Sequence, residues 1–394
     1  MRKVIALLIF SFASVVSAQD AQPLWPSVAQ VSLVDQRRED FPVQNQVQDI
    51  DWYQPQESLA GGNASNFQAA IKPSIQPAAL QRTMALAEKE NSFALLIWKD
   101  GQLQLEKYWK GFGQRSRYET ASMAKSVVAL AVGAAVAKGN IKSVDDPISD
   151  YIPTLRGTPR GSRPIRAFLE MASGMKTPPF SGPSEGPYWQ YSFGDDLGAA
   201  VAHWPDRCVP LKEFCYANGN TAMLGWAVEG ATGMRYADWL SRSIWQPIGA
   251  ADASLWLDRV GGSPRYSCCL IASAQDWLRI GLLLLNSGRV GTDQIVPQYW
   301  VEQMLAPSTA NPNYGWQIWR GSPHNPGRTY GRGISAVVAA AESFARDDVY
   351  FLDGSGGQRV YIVPSEHLVI VRIGSPSYTW DDSALPNMIL AGIE

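Results

Sequence analysis

The sequence has few of the residues that bind metals or cross-link small secreted domains. It contains only 3 His and 4 Cys in 394 residues, and charged residues make up 18%. Four Cys are too few for a disulfide scaffold, and no Cys/His cluster has zinc spacing. The 34 Lys and Arg nearly balance the 36 Asp and Glu, so a broad basic surface for nucleic acid is excluded. We expect no metal, no cofactor and no nucleic-acid partner.

Apolar residues, in contrast, are plentiful. They make up 46% of the chain, which is enough for a large buried core and too many for a disordered chain. The 34 Gly and 26 Pro are ordinary for this length, so the chain is neither collagen-like nor of low complexity. The length fits two or three domains, or one large α/β or α+β body.

The N-terminus carries the one long apolar run. Two basic residues precede the run from Val4 to Ala18, which ends on the small residues Val16-Ser17-Ala18. The run is too short to cross a bilayer, and it predicts a secretory signal peptide over residues 1–18. The alternative is an N-terminal membrane anchor; a lipid anchor is not expected, because no Cys follows the run. We therefore expect an exported protein, periplasmic or secreted, without a membrane span.

Export changes the interpretation of the cysteines, because disulfides persist in oxidising compartments. Cys208 and Cys215 are seven residues apart, and Cys268 and Cys269 are adjacent. The sequence is compatible with disulfides between these cysteines and also with buried free thiols.

The patterns along the chain predict an α+β fold. Residues 19–75 are rich in Gln, Pro, Ser, Asn and Asp and predict an extended N-terminal arm, followed by a main domain over residues 76–394. Strand patterns lie near both ends of this domain: Phe93–Trp98, Gln102–Tyr108, Val349–Leu352, Val360–Val363 and Leu368–Ile373. Helix patterns are Ala78–Lys89, Ser122–Lys138, Ile165–Ala172, Thr221–Gly230, Tyr236–Trp245, Ala274–Leu285 and Gln298–Leu305. We predict one antiparallel sheet from both chain ends, flanked by helices, with a helical insertion at about 140–270. Residues 176–196 are rich in Pro and Gly and predict a long loop.

The chemically informative segment contains Ser122 and Lys125. Their spacing places both side chains on one face at the start of a helix. A serine hydroxyl needs a nearby base to act as a nucleophile, and burial can lower the pKa of a lysine far enough to make it that base. The helix that follows is apolar on nearly all sides, which predicts such burial.

Two similar motifs elsewhere lack the context that this chemistry needs. Ser173-Gly-Met-Lys176 follows a helix end and runs into two prolines, so we interpret it as a turn. Gly182-Pro-Ser184-Glu-Gly186 matches a nucleophile motif that requires a strand before it and a helix after it. It lies instead in the predicted loop, and we interpret the match as chance.

Two further segments add to the site. Tyr216 and Asn218 lie two residues apart just before a predicted helix, where the Tyr could relay a proton and the Asn could hydrogen-bond the Lys and the substrate. Residues 353–358, Asp-Gly-Ser-Gly-Gly-Gln, interrupt two C-terminal strand patterns with glycines. Glycines in a strand usually mark a close approach of the backbone, either to another chain segment or to a ligand.

Together and in this order, the three segments resemble the serine β-lactamase and penicillin-binding-protein superfamily, in particular its class C-like branch of esterases and 6-aminohexanoate-oligomer hydrolases. Ser122-Met-Ala-Lys125-Ser-Val, Tyr216-x-Asn218 and Gly354-x-Gly-Gly-Gln358 followed by Val363-Pro364 carry the resemblance, which extends over roughly residues 80–375. It implies a β-lactamase/transpeptidase-like fold.

The resemblance also implies roles. Ser122 would be the acylated nucleophile, Lys125 and Tyr216 the proton-transfer pair, and Asn218 their support. The oxyanion would lie against the Ser122 N–H and a second donor beside Gly354, which we place at Ser355, with Gln358 as the alternative register.

This sequence departs from penicillin-recognising members, which carry a Lys or His on the last strand. Residues 351–358 contain no such cation. We expect Asp353 to repel a substrate carboxylate and Arg359 to be a solvated strand residue.

The sequence thus predicts an exported serine hydrolase that cleaves a small ester or amide through an acyl-enzyme. Tyr188, Trp189 and Tyr191 are candidates to line its pocket. The alternatives are a β-lactamase or D,D-peptidase acting on cell-wall peptides, or a catalytically poor protein that binds peptidoglycan or penicillin. None of the three His lies in a recognisable triad context.

Overall fold

The fold is described from a computed structural model, which covers residues 25–63, 65–331 and 334–393. The predicted signal peptide lies outside the described residues. The helices are α1 (Val28–Glu39), α2 (Pro77–Lys89), α3 (Ala124–Ala137), α4 (Ile165–Leu169), α5 (Pro187–Phe193), α6 (Leu197–Ala202), α7 (Asn218–Thr232), α8 (Tyr236–Leu240), α9 (Ala274–Leu285), α10 (Gln298–Leu305) and α11 (Ala384–Leu390). The strands are β1 (Gln56–Leu59), β2 (Ser92–Lys99), β3 (Gln102–Tyr108), β4 (Arg117–Glu119), β5 (Ala253–Trp256), β6 (Leu270–Ser273), β7 (Arg289–Val290), β8 (Asp293–Gln294), β9 (Trp319–Arg320), β10 (Gly327–Thr329), β11 (Val337–Ala339), β12 (Tyr350–Gly354), β13 (Gln358–Val363) and β14 (Leu368–Gly374).

The larger sheet has six antiparallel strands in the order β3-β2-β14-β13-β12-β9. It joins strands from both ends of the domain, which confirms the predicted α+β architecture. Alternate residues of β2 enter different apolar layers: Ala94 and Leu96 face one layer, and Leu95 and Ile97 face the other. Because side chains alternate across a strand, this sheet is covered on both faces.

A second sheet, in the order β1-β5-β6-β4, was not predicted. The expectation of strands only near the ends of the domain is therefore incomplete. These strands have three or four residues each, which is too few for a clear alternation of apolar and polar residues. They matter for the site, since β4 leads into the turn that carries Ser122 and β6 follows Ser267.

The N-terminal arm and the loop at 176–196 are corrections to the predictions. The arm is not simply extended, because α1 forms there with a capping box between Ser27 and Gln30. The loop contains α5, which begins at Pro187 in the favourable first position. Arg38 of α1 reaches Ser184 and lies 4.1 Å from the ring of Trp189, so the two segments order each other through tertiary contacts.

Most predicted helices are found within a few residues. The helix predicted at 165–172 ends at Leu169. The helix predicted at 236–245 is α-helical to Leu240 and continues as a π-helix over Ser241–Trp245. Helix α3 is buried along most of its length, as predicted. Within the described ranges, no helix is long and apolar enough to cross a membrane.

Both cysteine pairs are joined in the structure, Cys208 to Cys215 and Cys268 to Cys269. The second disulfide follows Ser267 directly, so it belongs to the segment between β5 and β6 that contacts Lys125.

Candidate active site

Ser122 and Lys125 meet where β4 passes into α3. Ser122 lies in a short helical turn, Ala121–Met123, and Lys125 is the second residue of α3. The Lys125 Nζ is 2.8 Å from the Ser122 Oγ. Ser122 lines an open cleft, whereas Lys125 is only 2% exposed. A hydroxyl open to the cleft is thus hydrogen-bonded to a buried amine.

Burial changes the acidity of this lysine. Desolvation lowers the pKa of Lys125 from 10.5 to about 7, while the carboxylates of Asp353 and Glu119 act in the opposite direction. A large part of the amine is therefore neutral at neutral pH. A neutral amine can accept the hydroxyl proton of Ser122, which an ordinary surface lysine cannot.

Tyr216 completes the group but has the opposite tendency. Its side chain is 8% exposed, and its ring centroid lies 5.0 Å from the Lys125 Nζ. Burial, together with Tyr314 and Asp353 nearby, raises the pKa of Tyr216 well above 10, against the effect of a hydrogen bond with Ser122. The phenol therefore stays protonated at neutral pH and is suited to donate a proton rather than to remove one.

Asn218 lines the cleft as the first residue of α7. Besides Ser122, Lys125 donates to the backbone carbonyl of Ser267, at 2.8 Å. The Ser267 Oγ is in turn 2.7 Å from the Tyr191 hydroxyl. Sequence reasoning missed Ser267, because its contact depends on a carbonyl group and no side-chain pattern announces it.

Glu119 is a second residue that the sequence analysis missed. Its Oε1 accepts the N–H groups of Ala121 at 2.8 Å and of Cys269 at 2.9 Å. One buried carboxylate thus joins two segments of the site. One is the Ala121–Met123 turn, called the nucleophile turn below, and the other is the segment before β6 whose Ser267 carbonyl contacts Lys125. Burial raises the pKa of Glu119 to about 7, and these two hydrogen bonds and Lys125 oppose the shift. Ala121 has a φ of +50°, which is costly for a residue with a Cβ, so the turn needs such an anchor.

The end of β12 lies against the nucleophile turn. A Cβ added to Gly354 would be 2.2 Å from the Thr120 carbonyl oxygen, so only glycine permits this approach. Ser355, Gly356 and Gly357 follow and line the cleft beside Ser122. The structure therefore places the Gly354–Ser355 segment where the sequence analysis expected it.

Gln358, the alternative register, is not among the described residues that line the cleft. Its side chain is fully buried, and it donates to Gly356 and Gly374 carbonyls at 3.2 and 2.9 Å while accepting the Gly374 N–H at 2.9 Å. The side chain fastens the β12–β13 turn to β14. The choice between the backbone N–H groups of Ser355 and Gln358 as the second oxyanion donor stays a prediction.

The cleft has a volume of about 470 Å³ and mostly aromatic or aliphatic walls. Of the three aromatic candidates only Tyr188 lines it. Trp189 stacks on Phe193 and donates to the Gly182 carbonyl, and Tyr191 is buried against Ser267.

Four buried charges lie beside the cleft, and they correct two expectations. Asp353 pairs with Arg328 at 2.9 Å and with Arg359 at 2.5 Å, and Asp382 pairs with the same two guanidinium groups at 2.8 and 2.7 Å. All four residues of this charge network are at most 4% exposed. Arg359 is therefore not solvated, and Asp353 is not a free charge that repels substrates. Burial alone would raise the pKa of Asp353, but the two guanidinium groups hold it below its ordinary value.

The similar motifs and the histidines lie away from this chemistry. Ser173 is buried and donates a hydrogen bond to Asn220, and Ser184 donates a hydrogen bond to Asp35. His203 stacks on Trp25, and no His lines the described part of the cleft.

One group of potential metal ligands occurs among the described residues, formed by Glu119, Cys268 and Cys269. Its two sulfur atoms are joined in a disulfide, so it offers no thiolates to a metal.

Comparison with known proteins identifies the family of the chain. A profile of the family described as Beta-lactamase matches residues 78–385, which is most of the chain. The chain therefore belongs to the beta-lactamase family, within a superfamily of serine hydrolases, and the resemblance drawn from the sequence is confirmed.

One curated relative and two solved structures are similar to this chain. A 6-aminohexanoate-dimer hydrolase of Paenarthrobacter ureafaciens is 26% identical over 239 residues, which is 54% of this chain and 57% of that enzyme. The match thus spans little more than half of that relative. A solved structure from Bacillus anthracis, provisionally named a 6-aminohexanoate-dimer hydrolase, has a TM-score of 0.70 at 21% identity, covering 94% of this chain and 97% of that one. The D-alanine carboxypeptidase AmpC of Burkholderia cenocepacia has a TM-score of 0.57 at 18% identity, covering 80% and 98%. At these identities the two structures show the fold alone.

Proposed function

We propose that this protein is an exported serine hydrolase that cleaves a small ester or amide through an acyl-enzyme on Ser122. The observation that carries the proposal is the 2.8 Å contact between the Ser122 Oγ and a buried lysine whose pKa is about 7. The family supports hydrolysis, and the name of the 26% identical relative, a 6-aminohexanoate-dimer hydrolase, supports an amide-containing substrate.

In the acylation step, neutral Lys125 takes the Ser122 proton as the Oγ attacks the carbonyl carbon of the substrate. The carbonyl π electrons move to oxygen and form a tetrahedral oxyanion. Collapse of this intermediate restores the carbonyl and breaks the bond to the leaving group. The leaving oxygen or nitrogen receives a proton from Tyr216, which then recovers one from the Lys125 ammonium.

Deacylation repeats the sequence with water. A water molecule attacks the Ser122 ester, its proton passes to the same pair of side chains, and Ser122 leaves with a proton restored. The product is a carboxylic acid, and the enzyme returns to its starting state.

The oxyanion needs donors that point into the cleft beside Ser122. We assign the backbone N–H of Ser122 and that of Ser355, because Gly354 brings this segment against the nucleophile turn. Asn218 also lines the cleft and is available as a polar contact for the substrate.

The β-lactamase alternative has less support. Arg359 is the one cation among the described residues that line the cleft, and both of its neighbours in the charge network are carboxylates. Its guanidinium group is therefore not available to a substrate carboxylate. Penicillin-recognising members, in contrast, carry a free Lys or His at the position of residues 351–358.

The proposal is tested by a fluorophosphonate probe and a substrate screen. We expect the probe to label Ser122, and Ser122→Ala to lose p-nitrophenyl ester turnover by about a thousandfold or more while keeping its melting temperature. Ser173→Ala and Ser184→Ala are the matched controls and should retain activity. Ester turnover that survives in Ser122→Ala, or a label on Ser173 or Ser184, would show the assignment to be wrong.

A further inference from the structure

The charge network lies at the edge of the cleft, close to the reacting groups. Asp353 and Arg359 belong to the network and also line the cleft. Asp353 directly precedes Gly354, which packs against the nucleophile turn. A charged group on a bound substrate would therefore lie within range of these two side chains.

The network has no unpaired charge to offer. Arg359 donates from Nε to Asp382 at 2.8 Å and from Nη1 to the carbonyls of Gly354 and Gln358 at 2.9 and 2.8 Å, besides its pair with Asp353. Asp353 also accepts a hydrogen bond from the Tyr330 hydroxyl at 2.7 Å. Two guanidinium groups and two carboxylates sum to zero charge, and each is already bonded.

The remaining walls are mostly apolar and contain no charged side chain among the described residues. Side chains from separate parts of the chain contribute them, including Phe180, Tyr188, Ile334, Val338 and Trp380. A carboxylate or ammonium that enters such a site loses water and gains no unpaired opposite charge among the described lining residues, which is unfavourable.

We infer that the charge network makes this cleft select substrates whose acyl and leaving groups are uncharged and apolar, with Asp353 and Arg359 as specificity-determining residues. The inference rests on the proposed function of Ser122. It assigns a role to paired charges that the catalytic steps do not use: the pairing fills the position where an ionic anchor would act.

The test uses three p-nitrophenyl esters of nearly the same acyl length on the full-length protein. They are the ester of monomethyl adipate, the ester of adipate with its free carboxylate, and the ester of trimethylammonium-capped hexanoate. We expect kcat/KM for the uncharged ester to exceed that for each charged ester by about a hundredfold. Comparable values for the carboxylate and methyl esters would overturn the inference.

Substitutions that unbalance the network should change this preference in opposite directions. Asp353→Asn leaves one positive charge in excess, so the disadvantage of the carboxylate ester should shrink about tenfold and that of the cationic ester should grow. Arg359→Gln should do the reverse. Asp382→Asn should act like Asp353→Asn, although Asp382 does not line the described part of the cleft, because it unbalances the same pairs.

Asp381→Asn is the matched control. Asp381 is the neighbouring carboxylate and bonds Ser383 rather than the network, so the ratios should stay as in the wild type. Melting temperatures separate unfolding from altered preference, and if the variants unfold, the wild-type ratios still decide the inference. Folded Asp353→Asn with unchanged ratios would also overturn it. Failure of the proposed function looks different: the wild type would turn over none of the esters, or Ser122→Ala would turn over all of them.

Discussion

Ser122, Lys125 and Tyr216 lie together, and burial shifts the pKa values of the lysine and the tyrosine in opposite directions. Burial disfavours the charged form of each group, so it lowers the pKa of Lys125 to about 7 and raises that of Tyr216 well above 10. The lysine becomes a usable base near neutral pH and the tyrosine remains a proton donor. This difference assigns the two roles without reference to any relative.

The pH dependence of activity should therefore report Lys125. Below pH 7 the amine is protonated and cannot accept the Ser122 proton, so kcat/KM should rise with pH over a limb centred near 7 and then level off. Lys125→Arg keeps the positive charge but cannot release a proton, so both the limb and most of the activity should be lost. The measurement is kcat/KM from pH 5 to 9 for both proteins, and near-native rates in Lys125→Arg would contradict the role.

Glu119→Gln separates the two groups that titrate near pH 7. Glutamine keeps an oxygen to accept the N–H groups of Ala121 and Cys269 but has no charge. Because the Glu119 carboxylate raises the pKa of Lys125, its removal should move the limb to lower pH and leave it present. Disappearance of the limb in Glu119→Gln would identify the carboxyl, rather than the amine, as the titrating group.

At this scale the sequence predicts side chains that lie near each other along the chain, and it fails where partners come from far away. Ser122 and Lys125 are three residues apart, and the apolar helix after them correctly predicts burial. Asp353 and Arg359 were misjudged because Arg328 and Asp382 neutralise them, and no local pattern connects those four positions. The bonds of the Gln358 side chain to Gly374 of β14 were likewise not foreseen, because β14 is distant in the sequence.

At the scale of elements, the site depends on the contact between β12 and the nucleophile turn. Strand β12 ends at Gly354, against the Thr120 carbonyl, while Glu119 ties the other side of the turn to the segment before β6. The turn is thus held from both sheets. The position of the proposed oxyanion donor follows from this packing.

Gly354→Ala should disrupt that contact. The added methyl would be 2.2 Å from the Thr120 oxygen and 2.7 Å from the Gln358 Cβ, so β12 must shift away from the turn. We expect a loss of about 1–3 kcal/mol in the free energy of unfolding and at least about a tenfold loss in kcat. Denaturant titration and ester kinetics measure the two effects.

Gly113→Ala is the matched control, because a Cβ there meets nothing within 4 Å. It should leave stability and activity near the wild-type values. If Gly354→Ala behaved like Gly113→Ala, the close approach of β12 would have no part in catalysis.

The elements that the sequence predicted well have a clear period and sufficient length. The α9 and α10 boundaries and the β2–β3 hairpin follow from apolar spacing and turn residues alone. Helix α5 and the four strands of the second sheet, β1, β5, β6 and β4, are short. Helix α5 forms beside α1 through contacts such as that of Arg38 with Trp189. Such elements require the tertiary structure, since their local preference is weak.

On the scale of the whole molecule, the fold brings Ser122 and two members of the charge network to one cleft. The chain closes one sheet with both of its ends and places the nucleophile between that sheet and the helical region. The fold is shared with a carboxypeptidase structure, while the paired charges at the cleft belong to this chain's own residues.

Short-chain esters should therefore be better substrates than β-lactams. A cation that holds the carboxylate of a penicillin or cephalosporin contributes about 1.5–3 kcal/mol, and Arg359 is already occupied. The deficit corresponds to about tenfold to a hundredfold in kcat/KM. The comparison is nitrocefin against p-nitrophenyl butyrate on one preparation, and nitrocefin turnover equal to that of the ester would favour the β-lactamase alternative.

Trapping the acyl-enzyme tests the central claim most directly. The protein is mixed with p-nitrophenyl butyrate, quenched in acid during turnover, and examined by intact-mass and peptide mass spectrometry. We predict a mass increase equal to one butyryl group, located on Ser122 and absent from Ser122→Ala. A butyryl group on a different residue, or wild-type turnover without any covalent adduct in pre-steady-state samples and with full activity in Ser122→Ala, would contradict the account.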